Sequence, residues 1–441
     1  MHAPELHQLI EQEYPVYISL LKQLVAINTV FDNPQGVQEA LSLCAKHFAE
    51  YLPNYDIHFD SENNLIAVPK QIDTTHDFLY FSAHIDTVMA KKDEWLQGYD
   101  PFSPTDEGTD IVGRGVNDCK AGVAYQLYLA YLISKHALQP QNIIFTISAG
   151  EENGRATAKA MATELGRSLP VSDQTTYLIT LENNVTVGEP PTLAVNYGEK
   201  GSIAIEVVAT IDEIRAFLAQ NPENKWNPTI IEPIEDEVAD TEVEEFTQKG
   251  GHAASNGPEK NKLFELLMQK DSGKYIWQAG NSTLVSAVPT KIHRKKVGEA
   301  KLHKVTFDLR TFKKIPALKE ALEKSGLKKY NWRKQLDNGY NIEEILRKDK
   351  IAGIIEEASR DNNITISLES NPGATDSGTF YAHCSEEVEN FLPITMGPGC
   401  RSQRGEIPRL THGVNETFNK AAGLKAIQLI SQVALKMSFL K

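Results

Sequence analysis

The chain has 441 residues, 41% of them hydrophobic and 24% charged, and 45 basic against 59 acidic side chains give a formal charge of −14. That length exceeds one typical core, so two domains are expected. The acidic balance argues against nucleic acid as a partner, because phosphate binding wants the opposite sign. No stretch approaches the roughly 18 uncharged apolar residues of a membrane span, and Met1 to Glu13 lacks the basic segment and apolar core of a signal peptide. Cys44, Cys119, Cys384 and Cys400 are scattered without a CxxC pair, as in a reducing compartment. A soluble cytoplasmic protein is the expectation.

In chain order, residues 5–28 and 36–52 carry apolar side chains at helical spacing and are predicted as amphipathic helices. Short strands follow at 55–60, 64–69 and 77–83, then a polar loop at 93–108. Ile111–Gly115 is a strand, and Asp118 stands where it could cap a mostly apolar helix over Ala121–Ser134. A strand at 142–148, a helix at 152–165 and a strand at Tyr177–Leu181 complete an alternation that indicates an α/β sheet with parallel strands. Near Asn196 the texture changes. Gly201–Ala209 alternates like an antiparallel strand, 221–245 is acidic and rich in proline, a helix is expected at 260–270, and strands return at 283–288 and 303–310. From 314 the earlier rhythm resumes, with a helix near 340–359, strands at Ile364–Leu368 and Phe391–Met396, and a closing helix over Glu416–Lys436. The expected domains are therefore 1–196 and 314–441 as two parts of one catalytic domain, with 197–313 inserted as an α+β domain.

His84 and Asp86 end the apolar run that begins at Asp77. On a strand they share one face, which suits an imidazole that binds a metal through one nitrogen while a carboxylate steadies the other. A His-x-Asp pair at a strand end is also an ordinary polar edge. Acidic residues then recur at further strand ends: Asp118, Glu151-Glu152 and Glu182. Ligands of open α/β sheets gather at those ends. Carboxylates converging there repel one another unless cations neutralise them. Two metal ions sharing one carboxylate are the economical solution and a catalytic arrangement.

The chain resembles the M20 family of di-zinc peptidases and amidohydrolases. The residues that carry the likeness are Ser82 to Thr87, Gly113 to Gly122, Ser148 to Gly154, Glu182, Gly250 to Ser255, Asp308-Leu309-Arg310, Gly373 to Asp376 and His412 through Glu416. The resemblance implies a zinc-exopeptidase-like mixed sheet flanked by helices, with the insert as a lid and dimerisation domain, hence a homodimer. It also implies that His84 and Glu182 hold one zinc, that Glu152 and His412 hold the other, and that Asp118 bridges them. Cobalt and manganese are alternative ions. Asp86 would partner His84, and Glu151 would be the general base that takes a proton from the metal-bound water and passes it to the leaving amine. Of the adjacent pair Glu151 and Glu152 only one can face the metals; which one comes from the resemblance and not from spacing. His252 would stabilise the oxyanion in a neighbouring active site, and Arg310 would pair with a substrate carboxylate.

Glutamate at 182 is similar to the carboxypeptidase and deacylase branch. The implied activity is hydrolysis of an amide bond in an N-acyl amino acid or a small peptide with a free carboxylate. The alternatives are a dipeptidase or other exopeptidase of the same fold, and a relative that binds without catalysing. Three departures bear on substrate. Ser286-Ala287-Val288-Pro289 replaces the family's Asn-Val-Ile-Pro, the acidic 221–245 stretch is extra, and twelve residues separate Gly399 from His412. That last loop includes Arg401, Arg404 and Arg409. Arg404 and Arg409 either recognise an acidic substrate group or belong to a solvated surface loop.

Overall fold

The computed structural model describes residues 3–154, 156–168, 174–209, 246–247, 285–297, 300–311, 330–335, 339–371, 375–384, 390–402 and 411–439. The chain divides into two compact units. One is Met1–Tyr197 with Ile342–Glu369 and Thr375–Lys441; the other is Gly198–Asn341 with Ser370–Ala374. Within the second unit the strand Tyr330–Gln335 pairs with Gly201–Ala209.

The first unit is built on a mixed sheet. Its elements begin with helices α1 (Ala3–Val25) and α2 (Pro34–Tyr51) and strands β1 (Tyr55–Phe59), β2 (Leu65–Pro69) and β3 (Phe78–His84). Strands β4 (Thr105–Asp106) and β5 (Asp110–Val112), helix α3 (Lys120–Lys135), strand β6 (Ile143–Ser148), helix α4 (Ala156–Ser168) and strands β7 (Thr176–Thr180), β8 (Val185–Thr186) and β9 (Thr192–Glu199) follow. The second unit contributes an antiparallel sheet in the order β11-β12-β13-β10-β14, formed by β10 (Gly201–Ala209), β11 (Phe246–Thr247), β12 (Val285–Val297), β13 (Ala300–Thr311) and β14 (Tyr330–Gln335). Then come β15 (Tyr340–Asn341), α5 (Glu343–Leu346), α6 (Lys350–Asn362), β16 (Thr365–Asn371), α7 (Asp376–Cys384), β17 (Phe391–Thr395), β18 (Cys400–Ser402), β19 (Thr417–Asn419) and α8 (Lys420–Phe439).

At the centre of the first unit β6, β3, β7 and β17 run parallel, while β1 and β2 extend one side antiparallel. Every residue of β3, β6 and β7 is buried, the pattern of parallel strands covered on both faces. Alternate residues feed the two faces. Phe81 stacks with Phe145 and meets Tyr125 of α3, and Phe145 stacks on Phe48 of α2. Phe78, Tyr80, Ile144 and Leu178 pack on Met161 and Leu165 of α4 and Phe380 of α7. Each such side chain fully buried contributes about 1.5–3 kcal/mol. Glycine allows a close approach beside the sheet edge: a Cβ at Gly397, just past β17, would lie 2.1 Å from Glu182 O.

Four expectations are corrected. Asp118 does not follow a strand of the main sheet, because β5 belongs to a separate sheet, β19-β5-β4. It does not cap α3 either: Cys119 occupies that position without a side-chain bond, since the Asp118 carboxylate is engaged by imidazoles. Residues 151–154 form a turn, with α4 beginning at Ala156, because the Glu151 and Glu152 amides are drawn to Asp86. The closing helix starts at Lys420, since Thr417–Asn419 pair with Asp110–Val112. The helix expected at 260–270 and the acidic 221–245 stretch lie outside the described residues. Among the described residues no helix is long and apolar enough to cross a membrane.

Candidate metal centre

Because β3, β6 and β7 are parallel, their carboxyl ends share one edge, and His84, Glu151-Glu152 and Glu182 all emerge there. His84 is the last residue of β3 and is paired with Ser148 of β6. Two loops bring the remaining groups: residues 113–119 before α3 carry Asp118, and 411–416 before β19 carry His412. Asp118 lies between the two imidazoles. Its Oδ1 is 2.9 Å from His84 Nε2 and its Oδ2 is 3.0 Å from His412 Nε2. Glu182 Oε1 stands 3.9 Å from His84 Nε2, and Glu152 Oε1 stands 2.9 Å from His412 Nε2. Asn183 donates a hydrogen bond to Asp118 Oδ2 at 2.9 Å.

Behind this group sits Asp86, fully buried. Its Oδ1 accepts the Glu151 N–H at 3.0 Å and its Oδ2 the Glu152 N–H at 2.9 Å. Oδ1 also lies 3.3 Å from His84 Nδ1. The His84 Nδ1 hydrogen bond itself goes to the Asp86 backbone carbonyl at 3.0 Å, so the carbonyl orients the imidazole while the carboxylate fixes the turn that bears both glutamates.

The electrostatics are those of an overcrowded anionic cage. Burial pushes the Glu152 carboxyl up, and repulsion from Asp118 and Glu151 adds to it, so that it reaches about 7 despite His412. Burial and the Asp118 charge hold Glu182 well above the usual carboxylate range. Asp118 goes the other way: burial opposes its charge, but His412 and His84 outweigh that and keep it ionised. Burial disfavours the His412 cation, yet Asp118 and Glu152 together raise it far above the ordinary imidazole range.

The donor set fits a divalent cation. A ring nitrogen carries at most one hydrogen, yet two carboxylates converge on His84 Nε2 and two on His412 Nε2. In consequence Glu152 Oε1 is buried with no hydrogen-bond partner among the described residues. His84, Asp118 and Glu152 offer ligand atoms within 4.8 Å of one another, as do His84, Cys119 and Glu182. Imidazole nitrogen and carboxylate oxygen are ligands that zinc and similar ions accept. Cys119 is otherwise occupied: its thiol donates to Leu181 O at 2.8 Å, and burial raises its pKa well above the ordinary thiol value. Lys120, also buried, turns away from Asp118 and donates to Ile27 O at 2.8 Å.

The structure therefore brings together His84, Asp86, Asp118, Glu151, Glu152, Glu182 and His412. Arg310 lies in β13 opposite Ser202 and Ser286, and His252, Arg404 and Arg409 lie outside the described residues. Sequence reasoning passed over Asn183, Arg114 and Glu416. Asn183 follows Glu182 directly, but nothing in its pattern announces a contact with Asp118. Glu416 closes the His412 motif, the one hint that it serves the site.

A mixed sheet whose parallel strand ends carry an acidic, histidine-containing cage defines the class as a metal-binding α/β fold. Residues 80–436 match the model of peptidase family M20/M25/M40, and the chain belongs to that family, as its motifs led one to expect. It is 26% identical over 156 residues to an N-formyl-4-amino-5-aminomethyl-2-methylpyrimidine deformylase of Bacillus subtilis, covering 34% of this chain and 36% of that protein. It is 29% identical over 203 residues to a probable carboxypeptidase of Emericella nidulans, covering 44% of each. The chain spans less than half the length of these curated relatives that it matches. Its fold is similar to that of human carnosine dipeptidase 1, with a TM-score of 0.63 and 14% identity over the whole of both chains.

Proposed function

We propose that the chain is a metal-dependent hydrolase that cleaves an amide bond in an N-acyl amino acid or a small peptide with a free carboxylate. The observation that carries this reading is the convergence of His84, Asp118, Glu152, Glu182 and His412, with more carboxylates than protons can serve. His84 and Glu182 would hold one ion and Glu152 and His412 the other, with Asp118 shared; zinc suits the donors best. Bound there, the ions would polarise the substrate carbonyl and make a water acidic near neutral pH.

Glu151 does the proton work in this reading. Its backbone is pinned by Asp86, and its carboxylate is close enough to raise the carboxyls of Glu152 and Glu182. It takes the proton of the attacking water as oxygen adds to the amide carbon. It then delivers that proton to the nitrogen as the C–N bond breaks, giving a carboxylate and an amine. His252 would donate to the developing oxyanion, and Arg310 would pair with the substrate carboxylate. Arg404 and Arg409 would recognise an acidic substituent. Residues 197–313 would act as lid and homodimer contact, as the family resemblance implies. A deformylase and a probable carboxypeptidase among the relatives support substrates of these two kinds.

The test is a hydrolysis screen of N-formyl, N-acetyl and N-succinyl amino acids and dipeptides, with and without chelator. Turnover that chelator abolishes and zinc restores is expected. Turnover indifferent to chelator overturns the mechanism, and a chain that holds two ions yet cleaves none of these amides is a binding protein instead.

A further inference from the structure

Among the buried carboxylates of the first unit that the mechanism above does not use is Glu416. Glu416 is fully buried and takes four donors. Its Oε1 accepts the N–H groups of Asn117 and Asp118 at 2.8 and 3.1 Å. Its Oε2 accepts the Gly115 N–H at 3.1 Å and Arg114 Nη1 at 2.7 Å. Arg114, 2% exposed, uses its other limb on the loop that carries His412, donating to Gly413 O at 3.0 Å and His412 O at 3.4 Å. Two further bonds lock the same loops together: Gly113 N–H to Glu416 O at 3.0 Å, and Asn117 Nδ2 to Thr417 O at 2.7 Å.

Neither loop is part of the main sheet, so neither inherits its rigidity. His412 and Asn415 moreover hold φ of +63° and +55°, a left-handed backbone that His and Asn adopt more readily than other non-glycine residues but that their surroundings must still hold in place. The Arg114–Glu416 pair supplies that support from both ends. It binds the amide of Asp118 on one side and the carbonyls beside His412 on the other.

We infer that Glu416, through Arg114, is a positioning residue that sets the separation of Asp118 and His412 and thereby the affinity of the metal positions they serve. The inference rests on the metal reading above and adds to it an order of effects. Asp118 serves both positions and His412 only one. A glutamine at 416 has one acceptor oxygen for four donors, so Glu416→Gln releases the Asp118 loop or the Arg114 side. Arg114→Lys keeps a positive partner for Glu416 but gives up the second limb.

The experiment is calorimetric titration of the metal-free full chain with zinc, with the visible spectrum of the first cobalt equivalent as a second readout. The wild type is expected to take two ions. Glu416→Gln is expected to weaken both by about 10–100-fold, the usual cost of losing a group that orients a ligand, and to change the cobalt bands. Arg114→Lys is expected to weaken only one ion, the one that His412 serves, and to leave the other as in wild type. Two ions bound with unchanged affinities in both variants overturn this inference alone. A wild type that takes up no zinc overturns the metal reading, and the inference with it. Should Glu416→Gln fail to fold by circular dichroism, Arg114→Lys decides: unchanged affinities for both ions refute the positioning role.

Discussion

Glu152 offers a test of the metal centre that needs no substrate. Its side chain is 8% exposed, and burial foremost raises its carboxyl from 4.5 to about 7 in the metal-free chain. The folded chain therefore keeps a proton that the unfolded chain gives up above pH 4.5. The stability this group contributes is complete below pH 4.5 and is lost as pH rises to about 7. At about 1.4 kcal/mol for each tenfold change in proton affinity, the loss comes to about 3 kcal/mol. A bound divalent ion takes the place of that proton. Stabilisation by zinc is thus expected to be small near pH 5 and to grow by about that amount through pH 7. Urea unfolding of the metal-free wild type and Glu152→Gln, at about pH 5 and about pH 8, isolates the group. The wild type is expected to lose about 3 kcal/mol more than the variant between the two conditions. Equal losses in the two chains would refute the reasoning.

Glu151→Gln is expected to retain both ions by calorimetry while hydrolysis of the best substrate falls about 10²–10⁴-fold; metal lost along with activity would make Glu151 a ligand instead of the base. Asp86→Asn leaves one acceptor oxygen for two backbone N–H groups now bonded at 3.0 and 2.9 Å. Zinc affinity is expected to drop about 10–100-fold and metal-free stability by about 1–3 kcal/mol, and unchanged values would show that Asp86 does not hold the turn. Gly397→Ala would push a methyl to within 2.1 Å of Glu182 O. It is expected to cost about 1–3 kcal/mol of stability and to weaken zinc at the Glu182 position, with wild-type urea midpoint and zinc affinity as the contrary result.

Local periodicity carried the parts of the site that ride on regular elements. His84 and Asp86 could be placed on one face because a strand alternates, and the apolar runs of β3, β6 and β7 located Glu152 and Glu182 at neighbouring strand ends. Asp118 shows where such reasoning stops. An aspartate before an apolar helix has the form of a cap, and only the imidazoles, 34 and 294 positions away in the chain, explain why its carboxylate turns aside. Glu416 is the same case at greater distance. A helix was expected to begin there, but its partner Arg114 lies 302 residues earlier, and no window along the chain contains both. Spacing was also silent on which of Glu151 and Glu152 faces His412, since the turn that separates them is set by Asp86.

Before any cation arrives, protons on Glu152 and Glu182 and the His412 cation hold down the charge of the cage, and its walls must keep their spacing without a metal. The fold meets that demand with backbone dipoles. Asp86 is held by two N–H groups and Glu416 by three, all within the first unit. A buried ion pair by itself is a weak source of stability, because desolvation consumes most of the Coulomb gain. Arg114 and Glu416 therefore matter less for how much they stabilise than for what they join. His84 and Glu182 take their spacing from the sheet, Glu152 takes its place from the turn that Asp86 holds, and the two groups on loops take theirs from this pair. A metal centre assembled in this way has its ligand positions set before binding, and the free energy of metal uptake is not spent on ordering the loops.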